Sequence, residues 1–377
     1  MIPIKITGNL SDYNAFVSEF KNTLANIIKR GYVEDRRTKI KKSSVIKKYK
    51  SLEKPIKEKY LSAVETGYKT FKALSEATES SLLAPRKMIC EAGLNLLKLL
   101  LDDLNNPKNF MTSPDLTSQI AKYQASFPLD VNGKVDKESN LYQSISDIFI
   151  KKGYERKEFK NMVWKVTDLR VCPYCNRTYI PFINFGDNDQ HIRGQLDHFY
   201  PKEKYPYLAV SLYNLVPSCP YCNGKMCKGS KDPSDEGMVS PFFLSDHKGL
   251  RFRLKKFDKR VLNLEKCSES IELTVDTTLN PHMANNASVF HLLKIYSFHR
   301  DIAAEIIFKR KALMTRPYID FIRDVTKNRV SRVSMEDFIK LYWGVPLSED
   351  ELGERPMSKF TLDLLNDLEE TVSSGSI

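Results

Sequence analysis

The spacing of hydrophobic residues near the start of the chain predicts an amphipathic helix. Ser11 is a suitable N-cap, and Gly31 follows a basic last turn. Between them, apolar residues recur every three or four positions, as they do on one face of a helix: Phe16, Phe20, Leu24, Ile27 and Ile28. The pattern therefore predicts a helix that begins near residue 11 and ends before residue 31.

Similar spacing predicts three more helices in the first half of the chain. Two lie near residues 60–79 and 85–104, and a third carries Leu141, Ile145, Ile148 and Phe149 on one face before Gly153. The most apolar stretch, Leu94–Leu104, is too short and too charged to cross a bilayer. The front of the chain is thus predicted to be mainly α-helical, with no membrane segment.

The second half of the chain mixes strand and helix patterns. Hydrophobic and polar residues alternate around Phe252 and Leu254 and again around Ile271 to Val275, which predicts two short strands. Residues 289–315 are strongly helical in pattern, and Ser334 begins a capping-box sequence before a helix that ends at Gly344. The acidic tail, residues 349–370, is predicted to pack on a partner or on the basic front of the chain.

The charge of the chain favours a polyanionic partner. Its 377 residues carry a formal net charge of +12, with a pI near 9.1. Basic residues cluster between Arg36 and Lys59 against few acids. Such a cluster can follow a phosphate backbone, although a solvated helix face or loop is the commoner meaning of this pattern.

Two copies of a Cys-Pro-Tyr-Cys tetrapeptide predict a structural zinc site. They supply Cys172, Cys175, Cys219 and Cys222, four of the seven cysteines. Each CxxC turn can place two thiolates on one metal, and two turns complete a closed tetrahedral shell. A redox or free-thiol role is the alternative. The first residues lack the apolar run of a signal peptide, so a cytoplasmic protein is expected.

Between the two tetrapeptides lies Asp197-His198, and Asn223 directly follows the second tetrapeptide. Phosphodiester hydrolysis needs a base that activates water and a cation that neutralises the developing charge. A neutral imidazole suits the first task, and a carboxylate suits a hard cation such as Mg²⁺ or Mn²⁺. On a strand, neighbouring side chains point to opposite faces, so Asp197 and His198 must approach the reacting centre from different sides.

The segments LDHFYPK and YNLVPSCPYCN, with nearby lysines, resemble the HNH nucleases over residues 171–228. That resemblance implies a ββα-metal fold whose first strand ends in Asp-His. It implies that Asp197 is a metal ligand and His198 the general base. It also implies that the Asn214 side chain holds a loop in place so that the base is oriented. Asn223 is implied to be a second metal ligand on the opening turn of a helix.

For other residues near the motif, a functional role competes with a commoner structural one. The basic side chains Arg193, Lys202, Lys225 and Lys228 can clamp phosphates, although each alone is more typical of a solvated charge. Cys227, four residues after Asn223, is predicted to share its helical face. It is interpreted as a buried thiol rather than a magnesium ligand.

The wider arrangement resembles the nuclease subunits of Septu-type anti-phage systems, including those associated with retrons. In that family the nuclease works with a separate ATPase, so the resemblance implies an ATPase partner. The predicted activity is an HNH endonuclease acting on nucleic acid, with DNA favoured. The alternatives are an RNA endonuclease, acting for example on tRNA, and a non-catalytic zinc-stabilised adaptor of nucleic acid or protein.

Together these features predict an α+β protein that is mainly helical, with a central ββα-metal module braced by a four-cysteine zinc site. Three regions are expected. Residues 1–165 form a helical region with the basic cluster, and residues 166–245 form the zinc-braced nuclease module. Residues 246–377 form short strands followed by helices and the acidic tail.

Overall fold

The computed structural model describes residues 1–6, 8, 10–30, 120–121, 123–184, 191–258, 267–313, 315–328 and 334–373. The chain divides into two compact units. The cysteine unit comprises Met1–Thr7, Thr167–Phe199 and Val216–Ile377, and the helical unit comprises Gly8–Val166 and Tyr200–Leu215. The predicted helices near 60–79 and 85–104 and the basic cluster lie outside the described residues. The predicted regional boundaries after residues 165 and 245 stay predictions.

The helical unit is built on buried aromatic rings. Among the described residues its helices are α1 (Ser11–Arg30), α2 (Asn140–Ser146), a π-helical continuation (Asp147–Tyr154) and α3 (Lys157–Thr167), followed by short 3₁₀ turns at Pro206–Leu208 and Leu212–Asn214. The helix predicted from residue 11 is therefore confirmed. Phe16 lies 4.6 Å from Phe159 and Phe20 lies 5.3 Å from Phe149, measured between ring centroids. These contacts bury the apolar face of α1.

The helix predicted before Gly153 is also confirmed, with one difference. Leu141, Ile145, Ile148 and Phe149 are buried as expected. Gly153, however, lies inside the π-helical segment rather than after it. A Cβ atom at this position would lie 2.5 Å from a side-chain carbon of Val210. Glycine is thus required here because two segments of the helical unit approach closely.

The cysteine unit contains three small two-stranded sheets. Its strands are β1 (Phe182–Asn184), β2 (His191–Arg193), β3 (Gln195–His198), β4 (Leu215–Ser218, whose first residue belongs to the helical unit), β5 (Arg251–Lys256) and β6 (Glu272–Asp276). They pair β1 with β2, β3 with β4 and β5 with β6. The two predicted strands are confirmed as β5 and β6, which are antiparallel with Phe252 opposite Val275. The fold is therefore mixed α+β.

The α-helices in the described part of the cysteine unit have four to sixteen residues. They are α4 (Pro220–Asn223), α5 (Pro233–Glu236), α6 (His282–Val289), α7 (Leu292–Tyr296), α8 (Arg300–Phe308), α9 (Arg316–Asn328), α10 (Met335–Trp343) and α11 (Ser358–Ser373). The Ser334 capping box is confirmed at α10, which ends at Gly344 with a φ of 72°. No helix among the described residues is long and apolar enough to span a bilayer.

The continuous helix predicted over residues 289–315 is wrong. His291 has a φ of 50°, which separates α6 from α7. Tertiary contacts accompany the break: the Phe290 ring stacks on Tyr174 with centroids 4.3 Å apart, and the Tyr296 hydroxyl donates to the Cys175 carbonyl at 2.5 Å. The interruption lets two short segments both contact the first CPYC turn.

The acidic tail packs against strand β5 within the cysteine unit, a contact that the sequence did not predict. Its packing on a partner or on the basic front of the chain stays a prediction, because the basic cluster lies outside the described residues. Asp363 on α11 accepts a hydrogen bond from the backbone N–H of Phe252 at 2.9 Å, and Asp367 accepts one from Leu254 at 2.8 Å. These carboxylates satisfy an open edge of β5. Lys359, fully buried, pairs with Asp363 at 2.8 Å. The tail is thus a structural part of the cysteine unit.

Candidate functional site

The four cysteines of the two CPYC turns come together in the interior of the cysteine unit. Their sulfur atoms all lie within 4.8 Å of one another, and each residue is at most 2% exposed. Cys175 Sγ and Cys219 Sγ are 4.0 Å apart. In a tetrahedral zinc site with Zn–S bonds of about 2.3 Å, sulfur atoms are separated by about 3.8 Å. The donor set therefore fits zinc in both chemistry and spacing.

Burial and mutual contact shift the pKa values of the cluster thiols in opposite directions. A hydrogen bond from Cys172, and then those from the other two thiols, lower the pKa of Cys219 well below its usual value. Burial raises the pKa of Cys172 well above its usual value. Four thiolates held this closely would repel one another strongly without a compensating cation. A divalent cation supplies that compensation, so the cluster is suited to a metal.

The duplicated sequence is a pentapeptide, because Asn176 follows the first CPYC as Asn223 follows the second. We call residues 172–176 the first knuckle and residues 219–223 the second knuckle. In each, the N–H of the asparagine donates to the carbonyl of the first cysteine, at 2.7 Å in the first and 3.1 Å in the second. The two knuckles thus share one backbone turn, and the repeat extends one residue beyond the tetrapeptides.

The side chains of the two knuckles face different surroundings. Tyr174 is fully buried, whereas Tyr221 is 40% exposed. Asn176 is buried and holds the C-terminal region, because its Nδ2 donates to the Leu352 carbonyl at 2.7 Å and its Oδ1 accepts from the Lys359 N–H at 2.9 Å. The first knuckle therefore anchors the fold, and the second presents its side chains closer to solvent.

Asp197 and His198 end strand β3 with most of their surface buried. Asp197 is 2% exposed and His198 is 7% exposed. The Tyr174 hydroxyl donates to Asp197 Oδ2 at 2.5 Å. Burial, and then the neighbouring Asp197 carboxylate, raise the pKa of Tyr174 well above its usual value. The phenol thus stays protonated and fixes one oxygen of the carboxylate, a contact that the sequence did not predict.

Asn223 contacts the same strand two residues before Asp197. It is the last residue of α4, a helix of a single turn. Its Nδ2 donates to Gln195 Oε1 at 2.9 Å, and Gln195 lies two residues before Asp197 on β3. Residues two apart on a strand share a face. The amide of Asn223 therefore lies against the strand that carries Asp-His.

Cys227 is buried, as predicted, with none of its surface exposed. The predicted helical face shared with Asn223 is wrong, because α4 ends at Asn223 and turns follow from Gly224. In the described part of the chain, the four-cysteine cluster is the single place where three or more His, Cys, Asp or Glu ligand atoms converge. Cys227 is not part of that cluster. Cys227 is a buried thiol outside the candidate metal site.

Asn214 makes its contacts within the helical unit. Its Oδ1 accepts from the Tyr200 N–H at 2.7 Å, and its Nδ2 donates to the Tyr200 carbonyl at 3.1 Å and to the Leu208 carbonyl at 3.2 Å. The side chain is fully buried. It thus fixes the backbone at Tyr200, which follows His198 by two positions in sequence. That it orients the base stays a prediction.

The four basic residues near the motif have unlike environments. Arg193 lies on β2, opposite Phe182, and Lys225 is exposed after the second knuckle. Lys202, in the helical unit, pairs with Glu203 at 2.9 Å. Lys228 is fully buried, and its Nζ donates to the Lys231 carbonyl at 2.7 Å. Lys228 therefore has no surface for a phosphate and is removed from the candidate contacts.

The Tyr174–Asp197 hydrogen bond leads to a first prediction. Replacing Tyr174 by phenylalanine removes the donor to a buried carboxylate, and a hydrogen bond to a charged group contributes about 1.5–3 kcal/mol. We expect the Tyr174→Phe variant to lose about that much free energy of unfolding, measured by urea denaturation, with its metal content unchanged. Tyr221→Phe, at the exposed equivalent position, should stay within about 0.5 kcal/mol of the wild type. Equal losses in both variants would contradict this role.

Comparison with known proteins gives one short similarity. A 47-residue segment is 47% identical to the Septu protein PtuB of Bacillus thuringiensis, and the match spans 12% of this chain and 18% of that relative. No family model matches the chain. No solved structure matches it. The chain is therefore similar to a Septu protein over a small part of its length.

Proposed function

We propose that the chain is a metal-dependent endonuclease of the HNH type. One observation carries this proposal: β3 with Asp197-His198, its partner β4 and helix α4 follow one another as strand, strand and helix, and Asn223 contacts β3 through Gln195. Three consecutive elements of the chain thereby carry a base, a carboxylate and an amide oxygen. Phosphodiester hydrolysis requires groups of these kinds held around one phosphate.

His198 acts as the general base in this proposal. Its neutral imidazole takes a proton from a water molecule as the water oxygen forms a bond to phosphorus. The bond from phosphorus to the 3′ oxygen breaks, and that oxygen takes a proton from solvent, leaving a 5′-phosphate end. Tyr174 holds Asp197 in place through the 2.5 Å hydrogen bond, so the carboxylate needs no rearrangement during the reaction.

The donors at this site fit a hard divalent cation. Asp197 offers a carboxylate, and the Nδ2 of Asn223 is engaged with Gln195, which leaves its amide oxygen for a metal. Mg²⁺ characteristically takes one or two protein oxygens and keeps several waters. When bound there, Mg²⁺ or Mn²⁺ would neutralise charge that develops on the phosphate and the departing oxygen.

The four-cysteine cluster is proposed to hold a structural Zn²⁺. Its four donors close the coordination shell, so no position remains for a substrate. The cluster instead joins the knuckles that carry Tyr174 and Asn223, which both contact side chains of β3. Zinc would therefore position the proposed catalytic groups without taking part in hydrolysis.

The short similarity to a Septu protein supports a role in anti-phage defence. We propose that the chain works with an ATPase partner, as the nuclease subunits it resembles do, and that DNA is its substrate. Asp197 and His198 are both nearly buried. We therefore expect a low rate for the chain alone and a higher rate in the presence of its partner.

The test is a cleavage assay on matched DNA and RNA substrates, with Mg²⁺, Mn²⁺ or no added divalent cation, with and without a candidate ATPase partner. We expect cation-dependent cleavage that is lost in the Asp197→Asn variant. Cleavage of RNA, for example tRNA, in preference to DNA would favour the alternative substrate. Binding without any cation-dependent cleavage, unaffected by Asp197→Asn, would favour the adaptor and contradict the nuclease.

A further inference from the structure

A group of exposed apolar side chains surrounds the second knuckle in the cysteine unit. Phe298 is 84% exposed, Met226 is 78% exposed, and Tyr221 and Leu293 are each 40% exposed. We call these residues the Tyr221 patch. Large apolar side chains that remain exposed together are a mark of an interaction site.

Contacts between segments show that the patch is one surface. His291 Nε2 donates to the Met226 carbonyl at 3.0 Å, which places the start of α7 against the loop after the second knuckle. The Arg177 guanidinium lies 5.4 Å from the centroid of the Tyr221 ring, and its Nη1 lies 3.5 Å from His299 Nε2. Three separate stretches of chain therefore meet at this place.

The charge around the patch is positive. Lys225, Lys294 and Arg300 are exposed beside it, and the one acidic residue within segments 176–179, 219–230 and 291–301 is Asp301. Among the described residues no carboxylate pairs with Arg177, and its buried Nε has no hydrogen-bond partner. A guanidinium that is held over a ring and has no carboxylate partner is suited to bind an anion next to a flat apolar group.

We propose that the Tyr221 patch binds a single-stranded segment of nucleic acid that flanks the cleaved phosphate. Unpaired bases stack on exposed rings, here Tyr221 and Phe298, and the phosphates between them contact the surrounding cations. Bases within a duplex are stacked on each other and cannot use such rings. The combination of rings and unpaired positive charge favours this ligand over a neutral apolar protein surface.

The patch extends the proposed nuclease site rather than adding to its reacting centre. Tyr221 precedes Asn223 by two positions on α4, and side chains two apart on a helix point in different directions. A strand on the patch therefore lies beside the proposed reacting centre rather than in it. This inference rests on the proposed function for the role of the strand, but binding to the patch can be measured separately.

The test measures binding by the zinc-loaded His198→Ala protein without added Mg²⁺ or Mn²⁺, so that neither cleavage nor a catalytic cation is needed and the four-cysteine cluster stays intact. A fluorescently labelled single-stranded oligonucleotide and the matching duplex serve as probes in anisotropy titrations. We expect Phe298→Ala and Tyr221→Leu each to weaken single-strand binding roughly 5- to 150-fold. Lys294→Gln should reduce the slope of log affinity against log salt by about 0.7. Phe321→Ala, at a residue 61% exposed on α9, is the matched control and should bind as the parent does.

Unchanged single-strand affinity in both ring variants would overturn the proposal, as would absence of binding in the parent protein. Loss of ATPase association in the ring variants, with oligonucleotide affinity retained, would assign the patch to a protein partner instead. If the wild type binds through the patch but never cleaves, the inference stands and the nuclease proposal fails. If the wild type cleaves and the ring variants bind single strands as the parent does, the nuclease proposal stands and this inference fails.

Discussion

Replacing His198 by alanine is expected to lower the rate of phosphodiester cleavage by about 10²- to 10⁴-fold, because removal of a general base costs that much. The substitution removes the group that takes the proton from the attacking water and leaves Asp197 and Asn223 in place. The fold and the metal content of the four-cysteine cluster should persist, since neither knuckle contains His198. Initial rates on a labelled substrate, with metal analysis of the same samples, give the measurement.

The matched control is His282→Ala. His282 is exposed at the start of α6 and belongs to neither the proposed site nor the Tyr221 patch. Its variant should cleave at the wild-type rate. A His198→Ala protein that retains full activity would remove His198 from the role of base, and the proposed mechanism with it. A variant that lost both activity and zinc would instead show that His198 is needed for folding.

Replacing Cys175 by serine is expected to abolish stoichiometric zinc binding and to destabilise the cysteine unit severely. A structural zinc site contributes its binding free energy to folding, and apparent values reach about 10–16 kcal/mol in small zinc-binding peptides. Loss of one of four ligands should therefore cost at least about 4 kcal/mol here, enough to unfold many domains. Zinc content by mass spectrometry and thermal unfolding by circular dichroism measure the two effects.

Cys227→Ala provides the control for this experiment. Cys227 is as buried as the cluster cysteines and lies five positions after Cys222, but its thiol is outside the cluster. Its replacement should preserve one zinc per chain and lower the free energy of unfolding by about 0.5–3 kcal/mol, as core substitutions commonly do. The redox alternative would be favoured if the wild-type protein contained no zinc and its four thiols reacted readily in the native state.

Local signals predicted the elements that depend on neighbouring residues. The capping box at Ser334 and the apolar face of α1 are confirmed because caps and periodic faces are encoded within a few turns. The helix over residues 289–315 was predicted wrongly because its break serves distant contacts of Phe290 and Tyr296 with the first knuckle. The contacts of the tail with β5 were not predicted for the same reason, since the N–H groups of β5 that donate to Asp363 and Asp367 cannot be identified from the tail itself.

The sequence by itself determined the four-cysteine cluster, because two CxxC turns fix their own local geometry and cysteines at this spacing have few other uses. It also placed Asp-His and Asn223 around that cluster. Only the tertiary structure decided what the two identical pentapeptides do. One buries its tyrosine against Asp197 and its asparagine against the C-terminal region, while the other exposes its tyrosine and turns its asparagine to β3. Identical residues acquire different roles because burial and hydrogen-bond partners come from segments far away in the chain.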